Sequence, residues 1–200
     1  MSKELEAARQ LLKMLEEREK SNKVELSTLK PGEVFLMAGH EFIVLKHGNI
    51  ESGCTAVICK DLWEENVKFG DSRDYNKSNV KKIMDKVAGE IEAEVGADNL
   101  VEHEVSLTSV DMQNEFGSCK CKVRPVTFDE AREFNNLLVN KDLPDWWWTL
   151  TPWSTADRGY TYSIAVVSPS GDFDDDICLN GLGVRPFCIL KSNIFVSKGE

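Results

Sequence analysis

The sequence predicts an α+β fold in which helices and strands are segregated along the chain. Three observations carry this. Residues 3–20 and 76–95 show helical periodicity; strand-like runs cluster at residues 33–60 and again at 161–190; and no segment repeats at solenoid spacing.

The elements follow in order. Leu5, Ala8, Leu12 and Leu15 make an apolar seam, with Leu11 and Met14 beside it and charge pairs such as Glu16–Lys20 around it. This helix suits packing on its own domain or assembly with other copies. Pro31-Gly32 marks a turn. Runs 33–38, 41–46 and 55–60 read as strands, with Gly39-His40 and Gly48-Asn49 as hairpin turns, together an antiparallel meander. Residues 63–75 read as irregular. A second helix spans 76–95, with Val80, Ile83, Met84, Val87 and Ile91 on one face, Ser78 as cap and Gly96 as stop. Residues 100–122 are mixed. Thr127 and Glu130 have capping-box spacing, so a short third helix is expected to about residue 138. A loop fills 140–145, and further strands are expected near 161–168, 177–179 and 184–190.

Trp146-Trp147-Trp148 cannot form one amphipathic face, because adjacent side chains point different ways on a helix or a strand. With Trp153 they are expected as core and scaffold, since burying them contributes several kcal/mol.

Composition narrows the function classes. Two hundred residues with 42% hydrophobic and 29% charged side chains fit one domain, or one domain with an appendage. The net charge of −10 disfavours nucleic-acid binding and attraction to anionic membranes, both of which need basic surface. It leaves solubility, or an acidic face aimed at a basic partner. No apolar run approaches the roughly 20 residues of a membrane helix. The charged start at Met1-Ser2-Lys3-Glu4 does not read as a signal peptide, so a cytoplasmic origin with reduced cysteines is expected.

Candidate chemistry is sparse. Cys119-Lys120-Cys121 is half a zinc site, with His40, His47 and His103 as the chain's histidines. Asp172, Asp174 and Asp176 have the spacing that opens a calcium loop. However, Ile177 stands where such a loop needs Gly and Gly183 where it needs Glu, so a solvated acidic turn is expected. Cys54 or Cys59 could meet His40 or His47 on neighbouring strands as a nucleophile and base. Phosphate-binding and hydrolase signatures are missing. The final third is instead rich in Tyr, Ser, Gly and Asn, the palette of binding loops. Its candidate ligand-binding residues are Asp157, Arg158, Tyr160, Tyr162, Phe173, Asp174, Asp176 and Asn180.

Trp147-Trp148-Thr149-Leu150-Thr151-Pro152, followed by Tyr160 and Tyr162 and then Gly183-Val184-Arg185-Pro186, resembles a domain family of unknown function found in Firmicutes and their prophages. That family carries Trp-Trp-Leu-Arg-Ser/Thr-Pro and Gly-Val-Arg-Pro. Here Leu150 replaces the Arg, so no role of that Arg is carried over. The resemblance covers about residues 26–195. It implies a C-type-lectin-like fold, shared with the formylglycine-generating enzymes and with the variable proteins of diversity-generating retroelements. By that likeness, loops 155–162 and 168–182 carry specificity, and Gly183 to Pro186 is scaffold with Arg185 in a buried polar pair. The catalytic cysteines of the formylglycine enzymes have no counterpart to match here.

The resulting expectation is an N-terminal amphipathic helix at 1–23 and a C-type-lectin-like domain at 24–200. The expected function is non-enzymatic ligand binding or display in a phage or prophage protein. It would be made in the bacterial cytoplasm and incorporated in a virion, with host attachment or variable receptor binding as its task. The ligand is protein or carbohydrate, no cofactor beyond an optional calcium is required, and the helix would join copies. The alternatives are an intracellular acidic effector that inhibits a host or rival protein, and a thiol- or metal-dependent enzyme.

Overall fold

The computed structural model describes residues 23–48 and 52–199, preceded by residues 5, 6, 9–11 and 13, which are helical. The remainder of the expected 3–20 helix, and Asn49 of the second expected turn, lie outside the described residues.

The fold is mixed α/β, with mostly antiparallel pairing in open sheets. The first strands are β1 (Lys23–Glu25), β2 (Val34–Met37), β3 (His40–His47), β4 (Cys54–Cys59) and β5 (Glu64–Lys68). Helix α1 (Asn79–Val95) follows, then β6 (His103–Ser106), β7 (Ser118–Cys121) and β8 (Val123–Arg124). Helices α2 (Phe128–Glu133) and α3 (Asn135–Leu138) precede β9 (Trp147–Pro152), β10 (Ser163–Val167) and β11 (Phe173–Ile177). The chain continues through β12 (Gly181–Val184), β13 (Phe187–Lys191) and β14 (Phe195–Lys198). One sheet runs β1-β14-β2-β3-β4-β13-β8, a second β11-β10-β9-β12-β5, and β6 and β7 form a separate ribbon.

Period-2 alternation places the core. On β4 and β13, Ala56, Ile58, Phe187 and Ile189 face a cluster with Ala131, Phe134, Leu138 and Trp147. Their neighbours Val57, Cys59, Cys188 and Leu190 face the larger cluster with α1, Trp148 and Ile164. The central strands are thus covered on both sides, which explains their unbroken apolar runs. Trp147 and Trp148 enter opposite clusters, as adjacent strand residues must. Helix α1 buries Val80, Met84, Val87 and Ile91. The Ser78 hydroxyl caps it, accepting from the Lys81 N–H at 2.9 Å. It ends at Gly96, whose φ of 88° a side chain would strain. Among the described residues, no helix is long and apolar enough to cross a membrane.

Several expectations need correction. The first hairpin turn is Ala38-Gly39, not Gly39-His40. Met37 pairs with His40, and both turn residues have positive φ (50° and 75°), as a two-residue hairpin loop favours. Residues 63–75 are not wholly irregular, because β5 is an edge strand that buries only Val67 and shows no apolar alternation. The acidic run is strand β11 rather than a turn, and it too lies at a sheet edge, where charge blocks unwanted pairing. Ile177 ends β11, and residues 178–179 enter a turn instead of forming a further strand, closed by the Asn180 N–H on the Ile177 carbonyl at 2.8 Å. The third helix divides at Phe134, whose φ of −100° and ψ of 10° leave helical geometry.

The two marks of the last third meet in space. Gly183 pairs with Trp147 in a parallel contact and donates its N–H to the Trp146 carbonyl at 2.9 Å. A Cβ on Gly183 would lie 2.5 Å from Cδ1 of Leu62, so β12 passes too closely for a side chain. Arg185, fully buried, donates to the carbonyls of Cys59 (3.1 Å), Leu138 (2.8 Å) and Lys60 (2.9 Å), and its guanidinium sits 4.9 Å over the Trp147 ring. The polar partners of Arg185 are therefore backbone carbonyls. Burial draws its pKa down to about 10, so it still carries its charge at neutral pH.

Candidate binding surface

Three irregular segments are tied together by one buried cation. Arg73 is almost fully enclosed. Its Nε donates to the Thr161 carbonyl at 2.9 Å and its Nη1 to the Ser154 carbonyl. Its Nη2 donates to both carboxylate oxygens of Glu115, at 3.0 and 2.8 Å. The Phe116 ring covers the guanidinium at 5.3 Å. A planar fork carries five N–H donors in fixed directions, enough to reach two carbonyls and both oxygens of one carboxylate; a lysine ammonium has three.

Asp111 makes a second knot. It accepts from the hydroxyls of Ser109 and Ser154, each at 2.6 Å, and from Arg158. The two hydroxyl bonds, then Arg158, hold its pKa down at about 2. Between the two loops lies a groove of about 460 Å³ lined by Gln113, Asn114, Glu115, Thr155, Asp157 and Arg158.

This framework presents apolar side chains to solvent. Tyr160 and Tyr162 are 40% and 46% exposed, and Ile177 and Leu179 are 48% and 46% exposed. The Cys178 N–H donates to the Tyr162 carbonyl at 2.8 Å, and Ser163 pairs with Ile177, so Tyr162 and Ile177 belong to one end of the β10–β11 hairpin. Asn180 Nδ2 donates to Asp176 at 2.7 Å, fixing the adjoining turn.

The structure gathers some of the expected residues and separates others. Asp157 and Arg158 form a short 3-10 turn beside the groove. Tyr162, Asp176 and Asn180 lie at that end of the β10–β11 hairpin, and the exposed Tyr160 stands two residues before Tyr162, its N–H on the Thr155 carbonyl at 3.1 Å. Asp174 faces a shallow recess of about 170 Å³ shared with Trp146, Asp175, Asp176 and Leu182. Phe173 is at the far end of β11, roughly 13 Å of strand from Ile177. Its half-buried ring packs edge-on against Phe128 at 5.2 Å. Sequence reasoning missed Arg73, Asp111 and Glu115, whose partners are far along the chain. It also missed the exposure of Ile177, the last residue of β11, and of Leu179 in the turn after it.

The other candidate chemistry is placed as follows. Among the described residues, no group of three or more His, Cys, Asp or Glu side chains is arranged to hold a metal ion. Asp172 accepts from the Ser168 and Ser170 hydroxyls at 3.2 and 2.8 Å. Asp174 and Asp176 each accept from the next backbone N–H, at 2.9 and 2.7 Å. Cys59 pairs with Phe42, and Thr55 lies opposite His47, so the registers do not set a cysteine against either histidine. His47 is held by Thr55 at 2.8 Å and the Leu29 carbonyl at 2.7 Å, and His40 stacks on Trp63 at 3.9 Å.

No curated protein and no solved structure matches the chain. One family does: residues 100–192, which run from the start of the β6 segment through β13, match a domain of unknown function, DUF6273.

Proposed function

We propose that this chain is a non-enzymatic binding or display protein of phage or prophage origin, with a C-type-lectin-like domain over residues 24–200. Its recognition surface is the patch of Tyr160, Tyr162, Ile177 and Leu179, rimmed by Asp157, Arg158, Asp176 and Asn180. The observation that carries this is the contrast between the buried Arg73 clamp and the exposed side chains above it. Ordering the loops beforehand lowers the entropy lost on binding, which is what a recognition surface needs. Tyrosines then offer rigid amphipathic area, and the polar rim sets orientation. The ligand class is a protein or a carbohydrate of a bacterial surface. The N-terminal helix, with Leu5 and Leu11 exposed, would join copies, so that weak sites gain avidity.

The test is retention of the labelled chain on intact Gram-positive cells and on their isolated walls. Saturable retention is expected, reduced at least about tenfold by Tyr160→Ser with Tyr162→Ser at unchanged melting temperature. Equal retention of that variant would overturn the assignment of the patch. The net charge of −10 and the acidic edge at β11 favour a second reading, an acidic effector that binds a basic protein in the cell. That reading expects no retention on cells and a salt-sensitive complex.

A further inference from the structure

A second group of reactive side chains lies on the inward face of the β6–β7 ribbon. Cys119 and Cys121 share that face, with Val105 and His103 opposite them. Side chains two apart on a strand stand on one face, so the two thiols are neighbours there, and the Cys119 thiol donates to the Lys120 carbonyl at 3.6 Å. The neighbouring Cys121 thiol draws the Cys119 pKa down, and the charges of Lys81 and Arg124 assist; burial and Asp85 oppose. Cys121 is pushed the other way, by Cys119 and then by burial. Cys119 and Cys121 keep 4% and 5% of their surface, whereas Cys59, Cys178 and Cys188 are sealed and burial raises all three. Tyr75 is wholly buried in the same core cluster as both cysteines. Its hydroxyl has no hydrogen-bond partner among the described residues. A buried donor left unpaired in the cluster that holds a thiol pair is an unfilled position for an acceptor.

We propose that Cys119 and Cys121 form a two-electron oxidation site, a dithiol that hydrogen peroxide converts to a disulfide. The Cys119 thiolate attacks one peroxide oxygen. The S–O bond forms as the O–O bond breaks, and the departing hydroxide takes up a proton to become water. Cys121 then attacks the sulfenic sulfur. An S–S bond forms, the S–O bond breaks, and the leaving hydroxyl departs as a second water with the Cys121 proton. Two thiols lose two electrons and two protons, and one peroxide becomes two waters. The Tyr75 hydroxyl gives the sulfenic oxygen a donor between the two steps.

The spacing makes the product labile. Alternate residues of a strand stand about 6.4–6.8 Å apart, at the upper end of the roughly 4.4–6.8 Å between Cα atoms that a disulfide accepts. Closing the bond must pucker β7, and strained disulfides are readily reduced.

The test uses the full chain, stoichiometric hydrogen peroxide, alkylation of the remaining thiols and cleavage after glutamate. The fragment between Glu115 and Glu130 contains Cys119 and Cys121 and no other cysteine. It is expected to lose two hydrogens, about 2 Da, to escape alkylation, and to regain both thiols with dithiothreitol. In Cys121→Ser, a sulfenic acid trapped by dimedone is expected at Cys119; in Cys119→Ser, none is expected at Cys121. A wild-type fragment unchanged by peroxide, or earlier oxidation at any other cysteine, overturns the proposal. That readout requires no substitution, so misfolding of a variant cannot obscure it.

Discussion

Arg124 donates its Nε–H to Nε2 of His103 at 2.8 Å, a bond that only a neutral imidazole can accept. The His103 proton is therefore on Nδ1, which faces the Val101 carbonyl at 3.3 Å. Burial first, and the Arg124 charge second, push its pKa down to about 4 from 6.5. Glu130 neutralises Arg124 through two bonds of 2.6 Å and completes the capping box of α2 with Thr127.

Stability should consequently fall with pH through this site. Between pH 6.5 and 4 the unfolded chain binds a proton at His103 that the folded chain refuses. The loss grows as pH falls, to about 3 kcal/mol by pH 4. His103→Gln keeps an acceptor for Arg124 and does not titrate. Urea midpoints at pH 7, 6 and 5 should fall less in the variant; parallel curves would contradict the assignment.

Glu130→Gln should be among the most damaging single changes. It removes the carboxylate from a fully buried guanidinium and weakens the cap of α2 at once. A loss of about 3–5 kcal/mol is expected by denaturant unfolding, because an unpaired buried charge costs more than a lost pair contributes.

Gly183→Ala should destabilise by about 1–3 kcal/mol through its collision with Leu62. The obstacle is the end of a flexible side chain, so Leu62→Ala should relieve part of it. The double variant should lose less than the sum of the singles. Strict additivity in a double-mutant cycle would show that the two residues do not meet.

Arg73→Met should loosen the binding loops without unfolding the sheets. Amide exchange is expected to quicken at residues 109–117 and 153–162, while protection in β4 and β13 persists. Uniform acceleration across the chain would show instead that Arg73 supports global stability.

The helices and the central strands were legible because their patterns are local. Val80, Met84, Val87 and Ile91 recur at helical spacing between Ser78 and Gly96, and Thr127 stands three residues before Glu130. Strands β3 and β4 announce themselves by apolar runs. Edge strands do not: β5 has one buried residue, and Asp174, Asp175 and Asp176 of β11 suppress the usual strand signal. Composition alone finds Tyr160 and Tyr162 but does not separate Phe173, at the far end of β11, from them. Arg73, 42 positions from Glu115 and 88 from Thr161, has no local pattern at all; only the closed fold joins these residues.

The strand order also constrains how the chain can be born. Strand β13 is inserted between β4 and β8, and β14 between β1 and β2. The two larger sheets therefore wait for partners that emerge from the ribosome after their other strands, because β12 is needed to join β5 to β9 as well. Until then the apolar edges of β4 and β9 are open to other chains, a hazard that synthesis rate and chaperones must cover. Such long-range closure belongs with slow folding, in milliseconds to seconds rather than microseconds.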